Sequence, residues 1–265
     1  MRTTLAVVFL VGAIALTGGL SSCSSGSKTA ASQSPGFKRA TLQEIASALV
    51  SRGARVAFVQ IPVKVSDGIT IKQRIEDLKA LPEADRTPSE SSNLSMLQNL
   101  VDRKSLPDDG IIGYRQPTYN ITLPQRLDDA KMREQAVADV IALDSRYDLT
   151  RFDDLVVLCP KDDPIRTQRA TLVLKNVPAL EAIDKFMEVL KPQGINILRT
   201  WGPMDPDGPM HAAPVTLNVT DAPLVELISR FALAMGPRSC WTLITVEGRG
   251  RNLVLTQVSP PPPSQ

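Results

Sequence analysis

Histidine, cysteine and the common catalytic motifs are scarce in this chain. Its 265 residues include a single histidine, His211, and three cysteines. One histidine can serve in a metal site or an acid–base pair only if carboxylates from elsewhere in the chain join it. The sequence also lacks Gly-x-Ser-x-Gly and any Gly-rich phosphate-binding loop. We therefore expect no enzymatic activity, no catalytic residue, no metal site and no cofactor, and we interpret His211 as a solvated loop residue.

Three acidic stretches are the remaining candidates for chemistry, and each has a simpler explanation. Asp153-Asp154 and Asp162-Asp163 flank predicted strands beside a turn or a proline, where Asp is a common turn former. Asp205-Pro-Asp-Gly resembles a fragment of a calcium loop, but the periodic oxygen ligands and the final Glu are missing. We predict turns at the first two stretches and no calcium site at the third.

Net charge and aromatic content are both low. The formal net charge is +2, the basic residues are scattered among acidic ones, and aromatic residues make up 4% of the chain. Nucleic-acid binding is not expected, because it needs clustered positive charge. Among the few aromatics, Tyr147 and Trp241 lie in predicted strands and are expected in the core. Trp201, in Arg-Thr-Trp-Gly-Pro, is a candidate exposed anchor for a protein partner.

The sequence has no hydrophobic run long enough to span a bilayer. The apolar run from Leu5 to Leu16 follows the positive charge of Arg2, and it is shorter than the roughly 18 to 20 residues that a spanning helix needs. Residues 1–22 are therefore predicted to be an export signal. The tetrapeptide ending at Cys23, Leu-Ser-Ser-Cys, resembles a bacterial lipobox. This resemblance implies acylation of Cys23 and a lipid anchor, with ordinary secretory cleavage as the alternative.

The residues that follow Cys23 predict where the protein lies. Ser24, in place of Asp, resembles the outer-membrane sorting pattern of well-studied Gram-negative bacteria. We therefore expect a protein anchored in the outer membrane and facing the periplasm. Residues 23–40 begin with a Ser/Gly/Ala-rich stretch without periodicity, which predicts a flexible tether.

Two amphipathic helices, with strands around them, are predicted between residues 170 and 258. Apolar residues recur at helical spacing from Pro178 to Lys191 and from Pro223 to Met235. The residues predicted to be buried are Leu180, Ile183, Met187 and Leu190 in the first helix and Leu224, Leu227, Ile228, Phe231 and Met235 in the second. A proline is tolerated in the first turn of a helix, and Asn176 and Asp221 just upstream are expected to cap these two helices.

The order of these elements is strand, helix, strand, strand, helix, strand, strand. With its segments LKNVPALEAI and VTLNVTDAPLVELI, this region resembles the secretin and TonB short N-terminal domain family. The resemblance implies a small α+β module that contacts partner proteins and performs no chemistry. Because no pore or barrel pattern follows Val258, we expect a binding or assembly role, and neither a pore nor transport.

The same order recurs upstream, which predicts two tandem modules. The apolar residues of a helix opened by Thr41-Leu-Gln-Glu fall on those of the helix at Pro178 at an offset of 138, whereas Ile121 falls on Val215 at an offset of 94. The smaller second offset predicts an insertion in the first module. The predicted division is a signal peptide at 1–22, a tether at 23–40, a first module at 41–160 with an insertion at 62–118, a linker at 161–169, a second module at 170–258 and a Pro-rich tail at 259–265.

The insertion is a candidate place for partner binding. It contains helix candidates at 72–81 and 93–104, with a Pro/Ser/Glu-rich loop at 82–92 between them. Long insertions are tolerated at the tips of small folds and often carry binding sites. Leu97 and Leu100 are therefore candidate partner-binding residues. A partly disordered segment without a role is the alternative.

Two cysteines, Cys159 and Cys240, are left once Cys23 is acylated. They belong to different predicted modules, and a disulfide needs Cα atoms within about 7 Å. We therefore expect two separate, partly buried thiols, with a disulfide between the two modules as the alternative. As a whole, the sequence predicts a lipid-anchored cell-envelope protein whose modules bind or help assemble other envelope proteins. A periplasmic module that binds a small ligand or peptidoglycan is the alternative.

Overall fold

The computed structural model describes residues 36–86, 88–102, 111–124, 127, 129–198, 213–236, 239–248 and 250–257. These residues form an α+β fold, as predicted. They fall into two compact units. We call Val65–Arg115 the insertion unit, and we call the described residues of 34–64 together with those from Gln116 onward the main unit.

Helices and strands follow one another along the described chain. In chain order they are β1 (Gly36–Thr41), α1 (Leu42–Ser51), β2 (Val56–Val59), β3 (Gly68–Thr70), α2 (Ile71–Ala80), α3 (Pro88–Asp102), β4 (Ile111–Tyr114), β5 (Thr118–Thr122), α4 (Ala130–Ala142), β6 (Tyr147–Phe152), β7 (Leu155–Pro160), β8 (Arg169–Val177), α5 (Ala179–Leu190), β9 (Ile195–Leu198), β10 (Val215–Pro223), α6 (Leu224–Ala234), β11 (Ser239–Val246) and β12 (Gly250–Gln257). The predicted helices at 178–191 and 223–235 are confirmed as α5 and α6.

A six-stranded sheet forms the centre of the main unit, with the strand order β6-β7-β2-β11-β12-β9. The pairs β6–β7 and β11–β12 are antiparallel hairpins, whereas β2–β7, β2–β11 and β9–β12 are parallel. Between β2 and β11, Phe58 lies opposite Thr242 and Val59 lies opposite Leu243. Main-chain pairing therefore makes one sheet from strands on both sides of the segment 161–169.

Two antiparallel ribbons accompany this sheet: β1 pairs with β5, and β8 pairs with β10. The first ribbon corrects one boundary. Residues 36–40 were assigned to the tether, but β1 begins at Gly36, and Ala40, opposite Tyr119, is buried. The sequence of residues 36–40 has no strand pattern of its own. The backbone hydrogen bonds of β1 come from a strand about 80 residues further along the chain.

Helix α6 is buried on several sides. The predicted stripe of Leu224, Leu227, Ile228, Phe231 and Met235 is buried, and Val225, Ser229 and Ala232 are buried as well. A helix that is apolar nearly all round needs protein on more than one side. The contacts of α6 are of this kind, because it packs against β10 and β11 of the second predicted module and also against β6 and β7 of the first.

Aromatic side chains fill the core beside α6. Trp241 is fully buried, as predicted, and its indole N–H donates to Ser229 Oγ at 3.3 Å. The Ser229 hydroxyl donates in turn to the Val225 carbonyl oxygen at 2.7 Å, so the buried polar groups are satisfied. The rings of Phe186 and Phe231 stack with their centroids 3.9 Å apart. Tyr147 is buried too and stacks on Phe58, which confirms its predicted core position.

The buried stripe of α5 is rotated from the predicted one. Leu180 is 40% exposed, so its predicted burial is wrong. Met187 is half-buried, so its predicted burial is only partly right. The residues that face the core are Ala179, Ala182, Ile183, Phe186 and Leu190. Phe186 explains the rotation, because stacking on Phe231 places its large ring at the centre of the buried face.

The segment predicted as a linker, 161–169, lies inside the main unit and is packed there. Asp163 caps a short 3-10 turn at Pro164–Arg166 by accepting from the Ile165 N–H at 3.0 Å. Ile165 is fully buried, and the Gln168 carbonyl accepts from the Leu224 N–H at 2.8 Å. The turn predicted at Asp162-Asp163 is therefore confirmed. The segment is a packed part of the main unit rather than a linker between two separate modules.

The insertion unit has its own small core. Ile71, Leu78, Leu94 and Leu97 are buried against one another between α2 and α3, and β3 pairs with β4. The predicted helix at 72–81 is confirmed as α2. The second helix was predicted to begin at Asn93, which is wrong, since α3 begins at Pro88. Proline at the first helical position needs no N–H partner, so a Pro/Ser/Glu-rich stretch can open a helix.

Candidate functional site

The ribbon of β8 and β10 has one face that is exposed to solvent. Both strands are nine residues long, and Val173 lies opposite Asn218 near the middle. Their side chains alternate along the middle of each strand, where Leu172, Leu174, Leu217 and Val219 are buried against the helices. The opposite face carries the exposed residues Thr171, Val173, Lys175, Thr216, Asn218 and Thr220. The ribbon thus has one core face and one solvent face.

A left-handed residue interrupts each strand of this ribbon. Asn176 has φ 54° and Asp221 has φ 45°. The N–H of Asn176 donates to Thr216 Oγ1 at 3.0 Å, and the N–H of Asp221 donates to Thr171 Oγ1 at 2.9 Å. Asn and Asp tolerate this conformation better than most residues. The side-chain hydroxyls of the opposite strand satisfy the two N–H groups that the bulges remove from the ladder.

These two residues were predicted to cap α5 and α6, and that prediction is wrong. The N-cap positions are Pro178 and Pro223, and neither cap makes a side-chain hydrogen bond. Asn176 and Asp221 instead turn the chain from strand into helix. The same geometry occurs in the other ribbon, where Arg39 has φ 54° and its N–H donates to Asn120 Oδ1 at 3.0 Å.

Val173 is the most exposed large apolar side chain among those described, with 60% of its surface accessible. Beside it, the solvent face is uncharged apart from Lys175, and at one end Arg169 pairs with Asp221 at 3.0 Å. No other described strand pairs with the outer edge of β8 or of β10. Among the described strands, both outer edges of the ribbon are therefore unpaired, and Thr and Asn side chains surround one apolar residue on its solvent face.

Two arginines with largely covered side chains, Arg55 and Arg251, link distant segments of the main unit. Arg55, before β2, donates to Asp154 Oδ1 at 2.6 Å and to the carbonyl oxygens of Gly236 and Ser239 at 3.2 and 2.8 Å. Arg251, on β12, donates to Asp163 Oδ1 at 2.6 Å, and this carboxylate is 1% exposed. Arg55 joins segments from the two predicted modules, and Arg251 joins the second predicted module to the predicted linker. Asp153 adopts φ 53° in the tight turn next to Asp154, as the turn prediction requires.

Asp163→Ala is expected to lower the free energy of unfolding by about 3 to 5 kcal/mol, because it leaves Arg251 buried without its carboxylate and removes the cap of the turn. Asp154→Ala is the matched control. The Asp154 side chain is 65% exposed and Arg55 keeps two carbonyl acceptors, so the loss should stay below about 1 kcal/mol. Urea unfolding of both variants measures the difference, and equal losses would contradict this assignment.

A second carboxylate, Asp144, ties the turn between α4 and β6 to β5. It accepts from the Tyr119 hydroxyl at 2.7 Å and from Arg146 Nη2 at 2.6 Å, and it is buried. The hydrogen bonds from Arg146, followed by the one from Tyr119, lower the pKa of Asp144 to about 2 against the opposing effect of burial. This cluster has a structural role, since Tyr119 and Arg146 both bond the buried Asp144 carboxylate.

The pKa of Asp144 predicts a pH dependence of stability. An unfolded Asp titrates near 3.9, so the stabilisation is present above about pH 4 and is lost as the pH falls towards 2. Between these values the parent should lose about 2 kcal/mol more than Asp144→Asn, which has no proton to bind there. Denaturant titrations of both proteins at several pH values test this. Parallel pH profiles would show that Asp144 is not the group responsible.

The two described cysteines, Cys159 and Cys240, are free thiols, as predicted, and both are fully buried rather than partly buried. Burial raises the pKa of Cys159 to about 12, and it also raises the pKa of Cys240, whose sulfur lies 3.0 Å from Thr256 Oγ1. A thiol that stays protonated and buried is a poor nucleophile. These cysteines are core residues.

Of the predicted partner-binding residues, the structure describes Leu97 and Leu100, and both pack in the core of the insertion unit. Leu97 is 5% exposed in the core of the insertion unit, and Leu100 packs partly buried against the same cluster. Their apolar character is explained by this core, and a partner could not reach Leu97 without opening the unit. Cys23, Trp201, His211 and the Asp205 stretch lie outside the described residues. Sequence reasoning missed Val173, although its alternation with Leu172 and Leu174 predicts an outward side chain.

Among the described residues, no cluster of His, Cys, Asp and Glu is arranged to hold a metal ion. In the same part of the chain, no helix combines the length and apolar character needed to cross a membrane. No protein-family model, curated protein or solved structure matches the sequence. The resemblance to the secretin and TonB short N-terminal domain family therefore stays a prediction.

Proposed function

We propose that this chain is a lipid-anchored cell-envelope protein that binds or helps assemble other envelope proteins and performs no catalysis. In this proposal Cys23 carries the lipid, the folded part faces the periplasm from the outer membrane, and the partner is a protein. The observation that carries the interaction role is the β8–β10 ribbon, whose two edges are open among the described strands.

The main unit also supports the proposal of two tandem modules. Three strands of each half share one order, β6-β7-β2 in the first and β11-β12-β9 in the second. Each half also has a ribbon in which a left-handed residue donates its N–H to a side chain of the opposite strand, Arg39 to Asn120 and Asn176 to Thr216. This shared arrangement is what the family resemblance of the sequence would lead one to expect, with the two modules fused through β2 and β11.

Open strand edges favour a protein partner over a small ligand. Unpaired N–H and C=O groups along an edge can form a ladder with an extended segment of another chain, and soluble proteins usually guard such edges. The solvent face around Val173 would add apolar contact beside this ladder. A small ligand, in contrast, favours a concave and largely apolar cavity, whereas the solvent face of the ribbon is exposed and mostly polar.

Site-specific photocrosslinking tests the proposal. A benzophenone amino acid at Val173, in the full-length protein in its native membranes, is expected to capture one or a few defined proteins. The matched control is the same probe at Glu188, an exposed residue of α5, which is a helix and not part of the ribbon. The control should give no such product, because the benzophenone reacts only with atoms that it touches.

The outcomes separate the candidate functions. Defined adducts at Val173 that are absent at Glu188 support partner binding at the ribbon. Equal labelling at both positions, or no adduct with any protein, contradicts it. Recovery of the chain with bound glycan or metabolite, and with no protein, would instead favour the alternative of a module that binds peptidoglycan or a small ligand.

A further inference from the structure

We draw no further inference here: the strongest candidate, the solvent face and open edges of the β8–β10 ribbon around Val173, belongs to the surface already proposed for partner binding, and nothing in the described residues shows what covers it.

Discussion

A fragment covering residues 167–258 is expected to lack a cooperative unfolding transition, although its sequence alone predicts an independent module. In the intact chain, one apolar cluster contains Ala57 and Val157 from the first predicted module and Phe186, Trp241 and Leu253 from the second. The fragment lacks the first module, so it would expose the second-module side chains that first-module residues cover in this cluster.

The energetic reason lies in α6 and β11. Helix α6 contacts β6 and β7, and β11 pairs with β2, so the fragment loses a sheet neighbour and the cover of one helix face. It also loses Ile165 and the buried bond from Arg251 to Asp163. Exposing a large apolar side chain costs about 1.5 to 3 kcal/mol. The cost for several of them is comparable to a typical free energy of unfolding of about 5 to 15 kcal/mol.

A deletion elsewhere in the chain provides the matched control. The Arg115 N–H donates to the Asp67 carbonyl oxygen at 2.8 Å, so the insertion unit begins and ends at neighbouring backbone positions. Replacing residues 66–114 with a short Gly/Ser linker should therefore leave cooperative melting of the main unit. Thermal melts followed by circular dichroism measure both proteins. A cooperative melt of the 167–258 fragment, at the temperature of the deletion variant, would contradict interdependent modules.

Cys23→Ser is expected to move the protein from the detergent phase to the aqueous phase, because the hydroxyl of serine cannot replace the thiol that accepts the lipid. Detergent phase partitioning of membranes measures the change. A single acyl chain adds about 0.8 kcal/mol per buried methylene, so loss of the whole lipid should abolish rather than weaken the association.

Cys240→Ser is the control for this experiment, since Thr256 Oγ1 lies 3.0 Å from the sulfur and can bond the new hydroxyl. This variant should stay in the detergent phase. If Cys23→Ser partitions like the parent, the lipid anchor is wrong. If both variants become aqueous, cysteine loss has acted through folding and the anchor assignment loses its support.

Strand partners were the part of the fold that the sequence predicted least well. The sequence offset of 94 sets Ile121 on Val215, whereas alignment of the two left-handed residues, Arg39 and Asn176, sets Asn120 on Thr216. The two alignments differ by two residues. Side chains of a strand alternate with a period of two, so a slip of two residues keeps every apolar residue on the same face and leaves the pattern unchanged.

The candidate site could be predicted only in part, because strand partners cannot be read from the sequence. The alternation of Leu172, Val173 and Leu174 predicts that Val173 points away from the leucines, and this can be read without a structure. Whether another strand covers β8 cannot be read in this way. It follows from the pairing of β8 with β10 alone among the described strands, and that pairing joins residues about 45 positions apart.

The sequence by itself determined the α+β class, the helices α5 and α6 from their apolar period, and the turns at Asp153 and Asp163. It also determined that Tyr147 and Trp241 are buried. These features arise from contacts within a few residues or from a single buried face. Only the tertiary structure decided that β2 pairs with β11 and that α6 packs on both halves of the main unit. The β2–β11 pairing joins residues more than 180 positions apart, and local patterns of polarity show that a face is buried without showing what buries it.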